Sequence, residues 1–106
     1  MSTYELRVSA DAEPATATVM GKLDRTNLAE FVDDLGAVPG RRPVILDLSE
    51  LRYIDSAGFG EVIHLVEKRD VVVVLTPLSL LRRAASVVGL PLHDDVDAAR
   101  SALRNT

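Results

Sequence analysis

Apolar positions recur along the chain in three rhythms, each predicting a different kind of element. Tyr4, Leu6 and Val8 alternate with polar neighbours, and the alternation resumes at Ala17, Val19, Gly21 and Leu23, with Thr16, Thr18, Met20 and Lys22 between them. Period two marks a half-buried strand, and the turn Asp11-Ala12-Glu13-Pro14 joins the two strands into a hairpin. A glycine inside a strand, here Gly21, predicts a bulge or a close backbone approach. The rhythm then becomes helical. Leu28, Phe31, Val32 and Leu35 fall at i, i+3, i+4 and i+7, behind Asn27 as cap with Glu30 three residues on, and ahead of Gly36 and the loop Pro39-Gly40. Residues 44–48 and 71–75 are apolar almost throughout, as strands covered on both faces are.

Two further helices follow these buried strands. Phe59, Val62, Ile63 and Val66 keep helical spacing after the turn 55–58, which Asp55 or Ser56 caps. Thr76-Pro77 is expected to open another, with Leu81, Ala84, Ala85 and Val88 as its stripe and Gly89 as its stop. Leu90-Pro91-Leu92 is at best an edge strand. Asp94 or Asp95 caps a last helix with Val96, Ala99 and Leu103 facing inward. The sum is one α/β domain over 1–106. It has a four- to five-stranded mixed sheet, an N-terminal hairpin and about four helices packed mainly on one face.

Composition narrows the function classes. The 106 residues are 47% hydrophobic, which supports a folded core. With no cysteine, disulfides, thiol catalysis and Cys-based metal sites are excluded. A formal charge of −4, scattered basic residues and only two Tyr, two Phe and no Trp argue against nucleic-acid binding. No secretory leader is evident, and the longest apolar runs are far below the ~20 residues that span a bilayer. The expectation is a cytoplasmic protein that does not insert into membranes.

The stretch from residue 44 to 66 carries the candidate chemistry. Gly58-Phe59-Gly60 invites a dinucleotide reading, but the third small residue would fall on Ile63, and no Lys-Ser/Thr pair follows; no cofactor is expected. Ser56 sits where a nucleophile elbow would put it. Ile54 stands two positions before it instead of glycine, and His64 lies two helical turns on, so no triad is poised. Asp47 near a strand end lacks the acids and lysine of a phosphoacceptor site. No catalytic or metal-ligating residue is expected. Ser56 remains, either as a helix cap or as a modifiable serine. A phosphate there would lie at the positive end of the helix dipole and change the surface charge by about −2.

Gly21-Lys22-Leu23-Asp24, residues 44–49, Tyr53-Ile54-Asp55-Ser56-Ala57-Gly58-Phe59-Gly60 and Thr76-Pro77 ahead of a helix ending at Gly89-Leu90 together resemble the STAS domain, and within it the bacterial anti-sigma-factor antagonists. The resemblance covers about residues 4–103. It implies partner switching in transcription regulation and stress response. The antagonist binds an anti-sigma factor that is also a serine-protein kinase, is ejected when its turn serine is phosphorylated, and is restored by a serine phosphatase. Ser56 matches the phosphorylated serine. Asp24, Asp55, Ala57, Gly58, Phe59 and Gly60 match the partner-binding surface, with Phe59 and Gly60 expected to be exposed. Ala57 stands where many relatives have a second hydroxyl. The segment between Gly60 and Val71 is short, so the helix must be a turn shorter or its exit tight. STAS domains also serve as scaffold subunits of stressosome-like or lipid-transport complexes, which is the alternative role.

Overall fold

The computed structural model describes residues 3–104. The chain runs β1 (Tyr4–Ser9), β2 (Thr16–Leu23), α1 (Leu28–Gly36), β3 (Val44–Asp47), β4 (Leu51–Ile54), α2 (Ser56–Glu67), β5 (Val71–Val74), α3 (Leu81–Val87), β6 (Leu92–His93) and α4 (Val96–Arg104). The strands form one sheet in the order β1-β2-β3-β5-β6. β1 runs antiparallel to β2, and the remaining pairs are parallel. β4 pairs with the far end of β2, beyond the reach of β3.

Alternation explains why the central strands are apolar throughout. Val44 and Leu46 of β3 and Val71 and Val73 of β5 face the main core, with Phe31 and Leu35 of α1, Val62 and Leu65 of α2 and Ala85 of α3. Ile45 and Val74 face the other way, onto Ala99, Val96 and Leu103 of α4. Three helices therefore cover one face. Among the described residues α4 alone covers the other, over β3, β5 and β6. At the hairpin, the Tyr4 hydroxyl donates to Asp34 of α1 at 3.0 Å, and its ring meets Phe31 edge-on. Burial, followed by the Asp34 carboxylate, pushes the Tyr4 phenol well above its ordinary value, so the neutral donor persists.

Among the described residues the sheet has six strands where four to five were expected. β4 was hidden because its inward residues, Leu51 and Ile54, stand three apart with exposed Arg52 and Tyr53 between them, which breaks the alternation. β6 is only two residues long, beside Pro91. Asn27 also differs from its expected role. Its side chain accepts from Asp24 N–H at 3.0 Å and donates to the Lys22 carbonyl at 3.0 Å, bracing the β2–α1 loop without capping α1. α3 begins at Leu81, not at Pro77, because residues 77–80 are spent in turns. Of its expected stripe, Leu81 and Ala85 face the core, whereas Ala84 and Val88 are exposed.

Gly21 makes the close backbone approach expected of it, and the irregularity beside it has its extra residue, Arg52, in β4. The φ of Gly21 is +86°, a β carbon there would lie 1.6 Å from the Thr3 carbonyl oxygen, and the β2–β4 register shifts between Gly21 and Lys22.

Candidate functional site: the corner between β4 and α2

β4 delivers the chain to the C-terminal end of the parallel strands, where Asp55 turns it into α2. Asp55 is the N-cap, and every polar group it offers is used. Its Oδ1 accepts from Gly58 N–H at 2.8 Å and its Oδ2 from Arg25 N–H at 3.1 Å. Its own N–H donates to the Leu23 carbonyl at 3.2 Å, and its carbonyl accepts from Phe59 N–H at 2.9 Å. One carboxylate thus caps α2 and latches the β2–α1 loop to the corner.

That latch brings Asp24 onto the same rim. Asp24 Oδ1 accepts from the Thr26 hydroxyl at 2.5 Å and from Thr26 N–H at 2.9 Å. The hydroxyl bond first, and the backbone bond after it, hold the Asp24 carboxyl below its ordinary value, so it is an anion at neutral pH. The sign follows from linkage. A depressed carboxyl stabilises the loop above its unfolded pKa, and that contribution is lost as pH falls through the lower folded value.

Ser56 is the first residue of α2 and is exposed. Asp55 takes the capping role, so the Ser56 hydroxyl is left out of the cap. Among the described residues none hydrogen-bonds to that hydroxyl. The N–H groups of Ser56 and Ala57 are the first-turn donors that neither the helix nor the cap accepts. An anion on Ser56 would therefore meet free donors and the positive helix end.

The remaining residues of the expected surface divide by depth. Gly60 is exposed, with open space where a β carbon would be. Ala57 is half-buried. Phe59, expected to be exposed, is half-buried and packs against the main core, because its helical position turns it toward the sheet. Gly58 is buried. A β carbon there would stand 2.7 Å from Ile54 Cγ1 and 2.9 Å from the Leu23 carbonyl oxygen, so glycine lets the first turn of α2 press against β2 and β4. His64 is exposed and makes no hydrogen bond to Ser56.

Sequence reasoning missed several supports of this rim. Arg25 contributes its backbone N–H, and Thr26 acts by holding Asp24. Ser49 Oγ accepts from Thr76 N–H at 2.9 Å, tying the β3–β4 turn to the end of β5. Ser49 precedes an acid in a turn, which is a signal for such local bonding, but its partner lies 27 residues away. Tyr53, two residues before the cap, is half-exposed. Among the described residues no group of three or more His, Cys, Asp or Glu side chains is placed to hold a metal ion, and no helix is long and apolar enough to cross a membrane.

A mixed sheet with an N-terminal hairpin and a capped serine corner defines the class. A family model described as "Mlab, STAS domain" matches residues 6–91, and the chain belongs to the STAS domain family. Among solved structures, the chain is similar to an anti-sigma factor antagonist from Mycobacterium paratuberculosis. The identity is 25%, with 95% of this chain and 94% of the other covered and a TM-score of 0.78. It shares its fold with the anti-sigma factor antagonist SpoIIAA in its unphosphorylated form at 18% identity, with 96% and 100% covered and a TM-score of 0.63. The same fold recurs in an uncharacterised protein from Shewanella loihica at 18% identity, with 94% and 95% covered and a TM-score of 0.55. No curated protein sequence matches this chain.

Proposed function

We propose that the protein is an anti-sigma-factor antagonist, a cytoplasmic binding module whose affinity for its partner is switched by phosphorylation of Ser56. The observation that carries this reading is the division of labour at the corner. Asp55 caps α2, which leaves the Ser56 hydroxyl exposed and unbonded on a rigid turn. The partner is an anti-sigma factor that is also a serine kinase. It docks on the rim formed by Asp24, Asp55, Ser56, Ala57 and Gly60, with Phe59 and buried Gly58 shaping the turn beneath. Ser56 Oγ forms a bond to the γ-phosphorus of ATP held by the kinase, ADP departs, and the hydroxyl proton passes to the kinase or to water. The product adds about two negative charges beside the Asp24 and Asp55 carboxylates, so an acidic or apolar partner face is repelled. A serine phosphatase reverses the step. Ser56 is thus acted upon, and the chain itself is not an enzyme. The anti-sigma factor antagonist from Mycobacterium paratuberculosis, similar along nearly its whole length, supports this role.

The test is calorimetric binding of wild type, Ser56→Ala and Ser56→Asp to the anti-sigma factor of the same genome, with mass spectrometry after incubation with that factor and ATP. Wild type and Ser56→Ala should bind alike, and Ser56→Asp at least tenfold more weakly, about 1.4 kcal/mol. An acid at the first position of a helix is well tolerated, so weakened binding would not reflect unfolding. An unmodified Ser56 in the presence of the active kinase would sink the proposal. The second reading is a scaffold subunit of a stressosome-like or lipid-transport assembly, a role that STAS domains also serve; the matching family model is described as "Mlab, STAS domain". Under that reading Ser56→Asp and wild type would enter the same large complex with equal affinity.

A further inference from the structure

The two edges of the sheet are finished very differently. β6 closes one edge with two residues beside Pro91, too short to template another strand. β1 closes the other with six residues, and it holds no proline, lysine or bulge. Its hydrogen-bond phase can be read from the ladder. The Thr3 carbonyl accepts from Lys22 N–H at 3.1 Å, so Thr3 and Lys22 form a hydrogen-bonded pair. With Glu5 opposite Met20 and Arg7 opposite Thr18, the same phase turns the backbone groups of those odd-numbered residues toward β2. The N–H and C=O groups of Leu6 and Val8 therefore point away from β2, out of the sheet edge. Beside them, Leu6, Val8, Val38 and Pro39 line a groove of about 460 Å³ between β1 and the end of α1, and Val8 is 43% exposed.

We infer that this edge pairs with the β1 edge of a second copy of the chain, antiparallel and centred on Leu6, to form a two-fold dimer with one continuous sheet. Charge selects both the occupant and the register. Centring on Leu6 places Glu5 opposite Arg7 of the second copy, and Arg7 opposite its Glu5. These are non-hydrogen-bonded positions, where cross-strand side chains approach most closely. The neighbouring registers that keep the outward groups paired set Glu5 against Glu5 or Arg7 against Arg7, so both are disfavoured. Leu6 meets Leu6 across the axis, and the exposed flank of Val8 is covered. Both charged side chains lie on the α4 face of the sheet, away from the main contacts of α4 with β3, β5 and β6, although Arg100 of α4 reaches Thr16 at the start of β2. The inference is independent of the Ser56 reading, because the free edge of β1 and the corner after β4 lie on opposite sides of β2.

Sedimentation velocity of the full chain over a concentration series tests it. Wild type should show a reversible monomer–dimer equilibrium. Glu5→Arg and Arg7→Glu should each weaken it about tenfold, since each replaces two attractive pairs with two repulsive ones. The double variant Glu5→Arg/Arg7→Glu should restore it to within about twofold, by the same pairing. Leu6→Pro removes an outward N–H without touching a bond to β2, and should leave a monomer with unchanged circular dichroism. If that variant fails to fold, the charge swap still decides. A wild type that stays monomeric at all concentrations, as it would if the edge served another protein's strand, overturns the inference. So does a double variant as weak as the single ones.

Discussion

α2 and α3 each follow a strand of the same direction and pack on the same face of the sheet, yet they are held in opposite ways. α2 has twelve residues, a side-chain cap and a buried glycine in its first turn. α3 has seven residues, no side-chain bond from its capping residue Leu80, and one fully buried residue, Ala85. Leu78 and Leu80 at its entrance are 91% and 97% exposed, and Val87 near its exit is 81% exposed. α3 is held by Leu81 and Ala85 in the core, by Ser79 Oγ, which accepts from Leu81 N–H at 3.1 Å, and by Arg82, which donates to the Leu75 carbonyl and pairs with Asp94 at 3.0 Å. The difference teaches where positional order is concentrated. The helix that presents Ser56 is fixed at its first turn by backbone, cap and packing together, as a surface that must offer one hydroxyl in one place requires.

The largest effect should come from filling the space under that first turn. Gly58→Ala brings a β carbon within 3.0 Å of Ile54 and of the Leu23 carbonyl, one of them backbone that cannot yield cheaply. A loss of about 2–3 kcal/mol in urea unfolding is expected, as for overpacked cores. Gly60→Ala, two residues on with nothing within 4 Å, should instead gain about 0.5–1 kcal/mol from helix propensity. Equal effects at the two glycines would remove the claim that the turn is tightly seated.

Next comes the cap. Asp55→Ala strands Gly58 N–H and unlatches Arg25 N–H, and should cost about 2 kcal/mol. In an NMR spectrum its chemical-shift changes should reach the Asp24 loop as well as α2, because one carboxylate serves both. Changes confined to α2 would show that the latch to the β2–α1 loop is not operative.

Much of this contrast was legible in the sequence, and the failures share a cause. The buried strands, the hairpin, the α2 stripe and the Gly89 stop follow from local periodicity and backbone freedom, which a sequence displays directly. The corner was legible as a strand–turn–helix, but not which of Asp55 and Ser56 caps it. That choice depends on Arg25, 30 residues away, whose N–H rewards the carboxylate with a second bond. Asn27 carried a cap signal and was diverted by two loop partners, and Pro77 carried a start signal and was overridden by the turns that follow it. β4 escaped because its inward residues do not alternate: Arg52 is an extra residue between the pairs Gly21–Leu51 and Lys22–Tyr53.

The helix exits sharpen the comparison at a smaller scale. α2 and α3 end with the same paired bonds. Asp70 N–H reaches the Leu65 carbonyl and Arg69 N–H that of Val66, just as Leu90 reaches Ala85 and Gly89 reaches Ser86. The left-handed residue is Arg69 (φ 62°) in one and Gly89 (φ 75°) in the other. A tight exit is one of the two alternatives expected for the short segment after Gly60. Arg69→Gly should therefore stabilise by about 0.5 kcal/mol and Gly89→Ala destabilise by about 1 kcal/mol. Opposite signs in thermal unfolding are the expected result, and a loss at both would mean that the Arg69 side chain contributes more than its backbone strain costs.

The smallest effect should be found where α3 begins. Leu80 is as exposed in the folded chain as in an unfolded one, so Leu80→Ser removes almost no apolar surface that folding buries. Stability should change by less than about 0.5 kcal/mol, although the residue lost is one of the larger apolar ones in the chain. Asp55→Ala and Leu80→Ser act at equivalent places, the capping residues of two helices on one face, so their ratio measures the asymmetry directly. A Leu80→Ser loss approaching that of Asp55→Ala would mean that Leu80 is covered in solution, and that α3 is held as firmly as α2 by contacts beyond Arg82 and Ala85.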